Sequence, residues 1–241
     1  MNKKVSILIP VYNEGEIILE NTKRLIEYMD KLNLKYEVVI VNNGSTDETE
    51  AKGYLLQKLY PGKVKFFSLP ERGVGLAFRK LVEEARGEYL ISMDMDLSVE
   101  LEFIPECIDY LKHNSVVVGS KQMGEQSRPW YRTLLSNGFI TLTRFLLGLD
   151  FHDYSMAAKG YHRSYILPYL KNIDHGSSYV IEIIYYLHKA KHSIIEIPVF
   201  CRDTRPSKFN LWKEVLYRFK NLIKLWLRER VFSTYLQKNG A

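Results

Sequence analysis

The chain has 241 residues, of which 46% are hydrophobic and 26% charged, a balance typical of a globular protein that can fill a core. No run of about eighteen apolar residues occurs, so we expect no membrane-spanning helix. The formal net charge of +6 suits nucleic acid, an anionic lipid surface or a phosphorylated substrate.

The first 120 residues alternate between strand and helix patterns. Strands are predicted at 5–10, 36–41, 64–69, 89–93 and 116–119, and helices at 15–32, 47–59, 74–85 and 100–112. Such alternation predicts an α/β fold with a mainly parallel sheet and helices on both faces. The chain start lacks the apolar core of a signal peptide, and we interpret it as the first strand.

The second half is less regular. Residues 121–132 are polar and are predicted to form a mobile loop, and residues 201–209 a second, charged loop. Helices are predicted at 133–147, 178–189 and 211–230, and strands at 151–161 and 193–200. We therefore expect one domain over 1–210, followed by a terminal helix and tail over 211–241.

The terminal helix is amphipathic. Most of its Leu, Trp, Phe and Ile side chains fall on one arc and its Lys and Arg side chains on the remainder, with Tyr217 and Leu225 as apolar exceptions. Such a helix can lie in a lipid interface. Packing against the protein's own sheet requires the same apolar stripe, so both interpretations stay open.

The stretch 89–96 contains two carboxylates, Asp94 and Asp96, directly after an apolar run. If the strand continues, the two side chains share a face, since alternate strand residues point the same way. Ligands of open α/β sheets bind beyond the carboxyl ends of strands, and paired carboxylates there suit Mg²⁺ or Mn²⁺. The simpler alternative is two solvated loop aspartates.

Two further motifs follow the first and second predicted strands. They are Pro10 to Glu14 and Asn42 to Thr49, in which Gly44 permits a tight turn and Ser45 or Asp47 can cap the next helix. Each motif alone is ordinary turn chemistry. Their occurrence in this order with the acid pair is much harder to obtain by chance.

Together these motifs resemble the signatures of family 2 glycosyltransferases with the GT-A fold. Segments 153–163, 179–182 and 196–199, with Arg202, Ser207 and Lys208, are similar to dolichol-phosphate mannose synthases and related polyprenyl-phosphate glycosyltransferases. The resemblance covers residues 4 to about 210. It implies a nucleotide-sugar half over 1–120 and an acceptor half over 121–210.

The resemblance also implies roles for individual residues. The nucleotide pocket would contain Pro10, Tyr12, Glu14, Asn42, Asn43, Asp94 and Ser207. Asp94 and Asp96 would hold the metal, and the catalytic residues would be Asp96, Arg202 and Lys208. The family usually has two aspartates where this chain has Asn42 and Asn43, so an amide would face the base.

The implied function is inverting, metal-dependent transfer of a monosaccharide from a nucleotide sugar to a polyprenyl or dolichyl phosphate. GDP-mannose is the first candidate donor and UDP-glucose the second. A phosphate acceptor is largely a dianion near neutral pH and needs no general base. The enzyme would lie in the cytoplasm, peripheral to the inner face of the membrane, where reduced Cys107 and Cys201 are expected.

One related enzyme and two alternatives of a different class stay open beside this interpretation. A GT-A transferase acting on a hydroxyl acceptor would need a general base. A basic binding module without catalysis is disfavoured for nucleic acid, because the sequence has no nucleic-acid-binding motif. A degenerate transferase kept as a regulatory partner is disfavoured by the intact Asp94 and Asp96.

Overall fold

The computed structural model describes residues 4–121, 130–154, 156–201 and 211–239. The strands are β1 (Val5–Val11), β2 (Tyr36–Asn43), β3 (Val64–Leu69), β4 (Tyr89–Ser92), β5 (Val116–Ser120), β6 (Lys159–His162) and β7 (Ile194–Pro198). The helices are α1 (Ile18–Lys31), α2 (Thr49–Leu59), α3 (Val74–Glu84), α4 (Phe103–Leu111), α5 (Trp130–Leu147), α6 (Arg163–Ile166), α7 (Tyr179–Lys189) and α8 (Leu211–Asn239), with a 3-10 helix at Leu167–Asn172.

The strands form one seven-stranded sheet in the order β3-β2-β1-β4-β6-β5-β7. All neighbouring pairs are parallel except those of β6, which runs antiparallel to both β4 and β5. The predicted mainly parallel sheet is therefore confirmed. Because β1 lies between β2 and β4, the carboxyl ends of these three strands meet at one edge.

Two apolar cores cover the two faces of the sheet. Helices α1, α2 and α4 contribute to the first core, for example through Leu25, Leu56 and Ile104. Helices α3, α5, α7 and α8 contribute to the second, through residues such as Phe78 and Leu222. Each helix buries an apolar face against the sheet and leaves its other face to solvent.

The strand predicted over 151–161 is wrong for most of its length, since β6 begins only at Lys159. The preceding amides bond to side chains instead of a neighbouring strand. Glu196 accepts hydrogen bonds from the amides of His152 (2.8 Å) and Asp153 (3.1 Å), and Asp153 Oδ1 accepts one from Met156 (3.2 Å). Local side-chain acceptors thus compete with the strand ladder.

The prediction of a loop over 121–132 is wrong at its end. Helix α5 already begins at Trp130, which places its first turn inside the predicted loop. Residues 122–129 lie outside the described part of the chain. Of the two cysteines, Cys107 is buried as expected, whereas Cys201 is half-buried.

Helix α8 has two apolar faces. Leu222 is buried in the second core, and Leu225 is also buried although it falls among the basic residues on the predicted polar side. Leu216, Ile223 and Leu227 remain 69%, 45% and 50% exposed, and their spacing of seven and four residues aligns them on one side. The helix therefore packs on the sheet and also carries an exposed apolar stripe. Among the described residues, no helix is both long and apolar enough to cross a bilayer.

Candidate active site

The turns that follow β1 and β2 form one hydrogen-bonded corner. The amide of Asn13 donates to Ser45 Oγ (2.9 Å), and Asn13 Oδ1 accepts from the amide of Thr46 (2.8 Å). The amide of Gly15 donates to Asp47 Oδ2 (3.0 Å). The two motifs that follow the first strands in the sequence therefore fold into a single unit at the carboxyl edge of the sheet.

Three residues predicted for the nucleotide pocket, Pro10, Tyr12 and Glu14, are half-buried at this corner. The guanidinium carbon of Arg72 lies 4.0 Å from the ring centroid of Tyr12, a cation–π contact. Gly44 has a φ of +68°, and a Cβ there would lie 3.0 Å from the Arg72 amide, so the loops touch. Sequence reasoning did not identify Arg72, because the contact depends on this loop approach.

Asn42 and Asn43 are buried, and their side-chain amide groups form hydrogen bonds with other parts of the protein. Asn42 donates to Ser68 Oγ (3.0 Å) and accepts from the amide of Ser45 (3.1 Å). Asn43 Oδ1 accepts from the amide of Gly73 (2.6 Å). In this structure the two side chains hold the loops around the corner, and their expected part in reading the base stays a prediction.

The acid pair lies in a turn, since β4 ends at Ser92 and the expected continuation of the strand is not observed. The amide of Leu97 donates to the carbonyl of Asp94 (3.2 Å), and Leu97 adopts a φ of +51°. Asp96 Oδ1 accepts from the amide of Ser98 (3.0 Å). The turn, rather than strand alternation, sets the direction of the two carboxylates.

Two other segments hold this turn in place. From α1, Asn21 Nδ2 donates to the carbonyl of Met95 (3.0 Å), and Thr22 Oγ1 contacts the Met95 sulfur at 3.8 Å. On the far side, Val99 forms an isolated antiparallel bridge with Cys201. These contacts link residues more than 70 positions apart, so the sequence alone gave no signal for them.

The electrostatics of the pair suit a cation. The pKa of Asp94 is raised to about 6, first by burial and next by the charge of Asp96, while Lys121 and Lys159 act in the opposite direction. Asp94 nevertheless keeps an accessible surface. A divalent cation would relieve the repulsion between the two carboxylates.

The acid pair is not a complete metal cage. Among the described residues, no group of three or more His, Cys, Asp or Glu side chains is placed to hold a metal ion. Magnesium and similar ions commonly take one or two carboxylates and complete their shell with water and substrate phosphates. Asp94 and Asp96 fit that mode of binding.

Arg202, Ser207 and Lys208 lie outside the described residues. In the described part of the chain, the basic groups whose charge acts on Asp94 are Lys121 and Lys159. Both lysines lower the pKa of Asp94. Arg218 lowers the pKa of Lys159 and of the buried Tyr179, whereas burial and Asp94 raise the pKa of Tyr179. Sequence reasoning missed all three; a lysine inside the apolar stretch 154–161 was the one available signal.

Solved structures with the same architecture are glycosyltransferases. Mannosyl-3-phosphoglycerate synthase from Rubrobacter xylanophilus matches with a TM-score of 0.74 at 14% identity, covering 95% of this chain and 75% of that one. Glucosyl-3-phosphoglycerate synthase from Mycobacterium tuberculosis, solved with Mn²⁺ and UDP-glucose, matches with a TM-score of 0.69 at 15% identity, covering 93% and 79%. At these identities the likeness establishes the fold, which is GT-A.

The chain belongs to glycosyl transferase family 2, whose pattern it matches over residues 6–169. Among its relatives, a dolichol-phosphate mannosyltransferase of Pyrococcus furiosus is 36% identical over 148 residues, which are 60% of this chain and 41% of the relative. An undecaprenyl-phosphate 4-deoxy-4-formamido-L-arabinose transferase of Sodalis glossinidius is 30% identical over 216 residues, 88% and 64% of the two chains. The chain thus spans less than two thirds of the length of these relatives.

Proposed function

We propose that this chain is a metal-dependent, inverting glycosyltransferase that moves a monosaccharide from a nucleotide sugar to the phosphate of a polyprenyl or dolichyl phosphate. The observation that carries the proposal is the acid pair at the carboxyl edge of the sheet. Asp94 and Asp96 stand there with Lys121 and Lys159 nearby, and the charge of Glu14 from the first turn also acts on Asp94. This combination suits a diphosphate held by a cation.

Each part of the chain takes one task in this proposal. Residues 1–120 bind the donor, residues 121–210 bind the acceptor, and residues 211–241 lie at the membrane surface. Tyr12 and Arg72 line the base side of the donor pocket, and Asp94 with Asp96 receives the diphosphate side. When bound there, Mg²⁺ or Mn²⁺ would neutralise the charge that builds on the departing nucleotide.

The acceptor phosphate explains the basic groups better than a hydroxyl acceptor does. A phosphate monoester has a second pKa of about 6, so near neutrality it is already a nucleophile and needs positive charge to position it. Lys121 and Arg218 supply such charge in the described residues, and we propose that Arg202, Ser207 and Lys208 add to it. The names of the two relatives, which refer to dolichol and undecaprenyl phosphates, support this acceptor class.

The exposed stripe of α8 supports a peripheral position on the membrane. Leu216, Ile223 and Leu227 lie on the side that faces away from the core, and Lys220 and Lys224 are exposed near them. Apolar side chains flanked by lysines bind anionic interfaces through both burial and charge. We place the enzyme at the cytoplasmic face, where a lipid-linked acceptor is within reach of a helix lying on the surface.

A donor panel tests the proposal. The purified chain is incubated with Mn²⁺ or Mg²⁺ and with GDP-mannose, UDP-glucose and other GDP- and UDP-sugars, and the melting temperature is measured. A donor that binds the folded state raises it by mass action. Transfer is then assayed with a short-chain polyprenyl phosphate, the corresponding polyprenol and 3-phosphoglycerate.

We expect one nucleotide class to stabilise the chain only with metal, and transfer to occur to the polyprenyl phosphate alone. GDP-mannose is our first expectation for the donor and UDP-glucose our second. Transfer to 3-phosphoglycerate or to the polyprenol, with none to the polyprenyl phosphate, would refute the acceptor assignment. No stabilisation by any nucleotide sugar would refute the catalytic proposal as a whole.

A further inference from the structure

Lys159 is a buried lysine at the edge of the sheet where the acid pair lies. It is the first residue of β6, and it pairs with Ser92 of β4 and Val118 of β5. Because β6 runs antiparallel to both neighbours, its first residue lies near their carboxyl ends. Its partner Ser92 is the last residue of β4 and precedes Asp94 by two positions. The side chain is only 1% exposed. The fold therefore buries a lysine side chain at the edge of the sheet that carries the proposed site.

The surroundings of Lys159 leave hydrogen-bonding capacity unused. Its ammonium donates to the carbonyl of Met156, and the described residues provide no second acceptor for its three donors. The hydroxyls of Ser92 and Ser120, also buried, have no hydrogen-bond partner among the described residues. Buried polar groups are normally satisfied, so packing alone does not account for two unpartnered hydroxyls and a singly bonded ammonium at the ends of three neighbouring strands.

Charged groups converge on this lysine. The pKa of Lys159 is lowered to about 8, mainly by burial and also by Lys121 and Arg218, while Asp153 and Asp94 act to raise it. Near neutral pH the group is still mostly protonated. An apolar residue of similar length would avoid the desolvation cost of this ammonium, so a buried cation here is a candidate for a role beyond folding.

We propose that Lys159 is a positioning residue that acts through Asp94, Asp153 and the Met156 carbonyl to give the transfer centre a fixed positive charge, which favours a nucleoside diphosphate. The inference rests on the proposed function for the class of ligand. Two adjacent carboxylates repel an incoming diphosphate, and the charge of the buried ammonium, which acts on Asp94, offsets that repulsion. Since the group is held by β6 and by the Met156 carbonyl, it needs no rearrangement when the ligand arrives.

The test distinguishes an effect of the Lys159 charge from a structural effect by comparing the binding of charged and uncharged ligands. Lys159→Gln removes the charge but keeps an amide that can donate to Met156, whereas Lys159→Arg keeps the charge. Lys65→Gln is the matched control, because Lys65 pairs with the buried Glu37 (2.8 Å) at the opposite edge of the sheet. Dissociation constants are measured with Mn²⁺ for GDP and UDP and for the uncharged nucleosides guanosine and uridine.

We expect Lys159→Gln to weaken binding of the preferred diphosphate by about tenfold, the effect of one poorly screened charge, and to change binding of its nucleoside by less than about twofold. Lys159→Arg and Lys65→Gln should both stay within about threefold of wild type for the diphosphate. Equal weakening for diphosphate and nucleoside, or an unchanged diphosphate constant, would overturn the proposal.

Folding and function remain separable in this design. If Lys159→Gln does not fold, Lys159→Met is measured in the same way; failure of both to fold while Lys159→Arg folds would assign the charge to stability and overturn the proposal. A wild-type chain that binds neither GDP nor UDP would overturn the proposed function, and this inference with it. A wild-type chain that binds one of them, with no effect of Lys159→Gln, would overturn this inference alone.

Discussion

Tyr217 of α8 donates a hydrogen bond to the carboxylate of Asp174, with oxygen–oxygen distances of 2.8 and 2.7 Å to its two oxygens. The same carboxylate accepts from the amide of Gly176 (2.9 Å), and the carbonyl of His175 accepts from the amide of Gly75 at the start of α3 (2.8 Å). The terminal helix and the helix that begins beside the donor corner are therefore connected through hydrogen bonds to the same segment, residues 174–176.

Replacing Tyr217 by Phe should lower the free energy of unfolding by about 1 kcal/mol, since one hydrogen bond to a charged group is lost at a partly exposed site. Urea unfolding measures this value, and limited proteolysis shows whether α8 is cut more readily. Tyr110→Phe is the control, because Tyr110 is equally exposed at 37% and its hydroxyl has no hydrogen bond among the described residues. Equal effects of the two substitutions would contradict a role for the Tyr217 contact.

Asp96→Asn should abolish the rise in melting temperature that a nucleotide sugar gives with Mn²⁺, and should lower transfer by at least about a hundredfold. Without metal the variant should be as stable as wild type or slightly more so, because the repulsion between Asp94 and Asp96 is removed. Asp109→Asn, on the exposed side of α4, should leave transfer unchanged. Wild-type transfer rates in Asp96→Asn would refute the metal role.

Glu37 makes the protein sensitive to acid. The carboxylate is buried at the start of β2 and pairs with Lys65 (2.8 Å) and Lys4 (3.2 Å). Burial would raise its pKa, but hydrogen bonds from Lys65, Ser6 and the Arg86 amide overcome this and lower it to about 2. Because the folded pKa lies below the ordinary value, the stabilisation is complete above about pH 4.5 and is lost as the pH falls toward 2.

Glu37→Gln should therefore lower the free energy of unfolding by about 3 kcal/mol at pH 7, because the folded state favours the ionised carboxylate more strongly than the unfolded chain does. At pH 3 the difference between variant and wild type should be clearly smaller. Denaturant unfolding at both pH values gives the comparison. Glu84→Gln, which breaks the half-exposed pair with Lys80, should cost less than about 1 kcal/mol at either pH. A Glu37→Gln deficit that does not depend on pH would contradict this account.

Changing Leu216, Ile223 and Leu227 together to Ser should reduce binding to anionic liposomes by at least about tenfold, since each buried apolar side chain contributes to the interface. Deleting residues 211–241 would be a poorer test, because it would also remove the buried Leu222 and Leu225. The control changes Tyr54, Leu55 and Leu59 of α2, which are similarly exposed, to Ser. Co-sedimentation that falls equally for both triple variants would argue against a specific docking stripe.

The sequence predicted the parallel sheet, the acid pair and the two turns because each depends on a local pattern: apolar runs, turn residues and carboxylates that follow a strand. It mispredicted residues 151–158, where the amides of His152 and Asp153 bond to Glu196 from a distant strand. It also missed Lys159, whose position beside Ser92 follows from the reversed direction of β6. Contacts between distant segments leave little trace in local periodicity.

The capped start of α3 has a consequence for how this protein can hold phosphate. Many nucleotide-binding folds aim the bare amides of a helix at the pyrophosphate, and so bind it without help from solution ions. Here the amides of Gly75 and Leu76 are occupied by the backbone oxygen of His175. At this helix start, anion affinity would instead come from side-chain charge and a supplied cation, and nucleotide retention would then depend on the ionic composition of the surrounding medium.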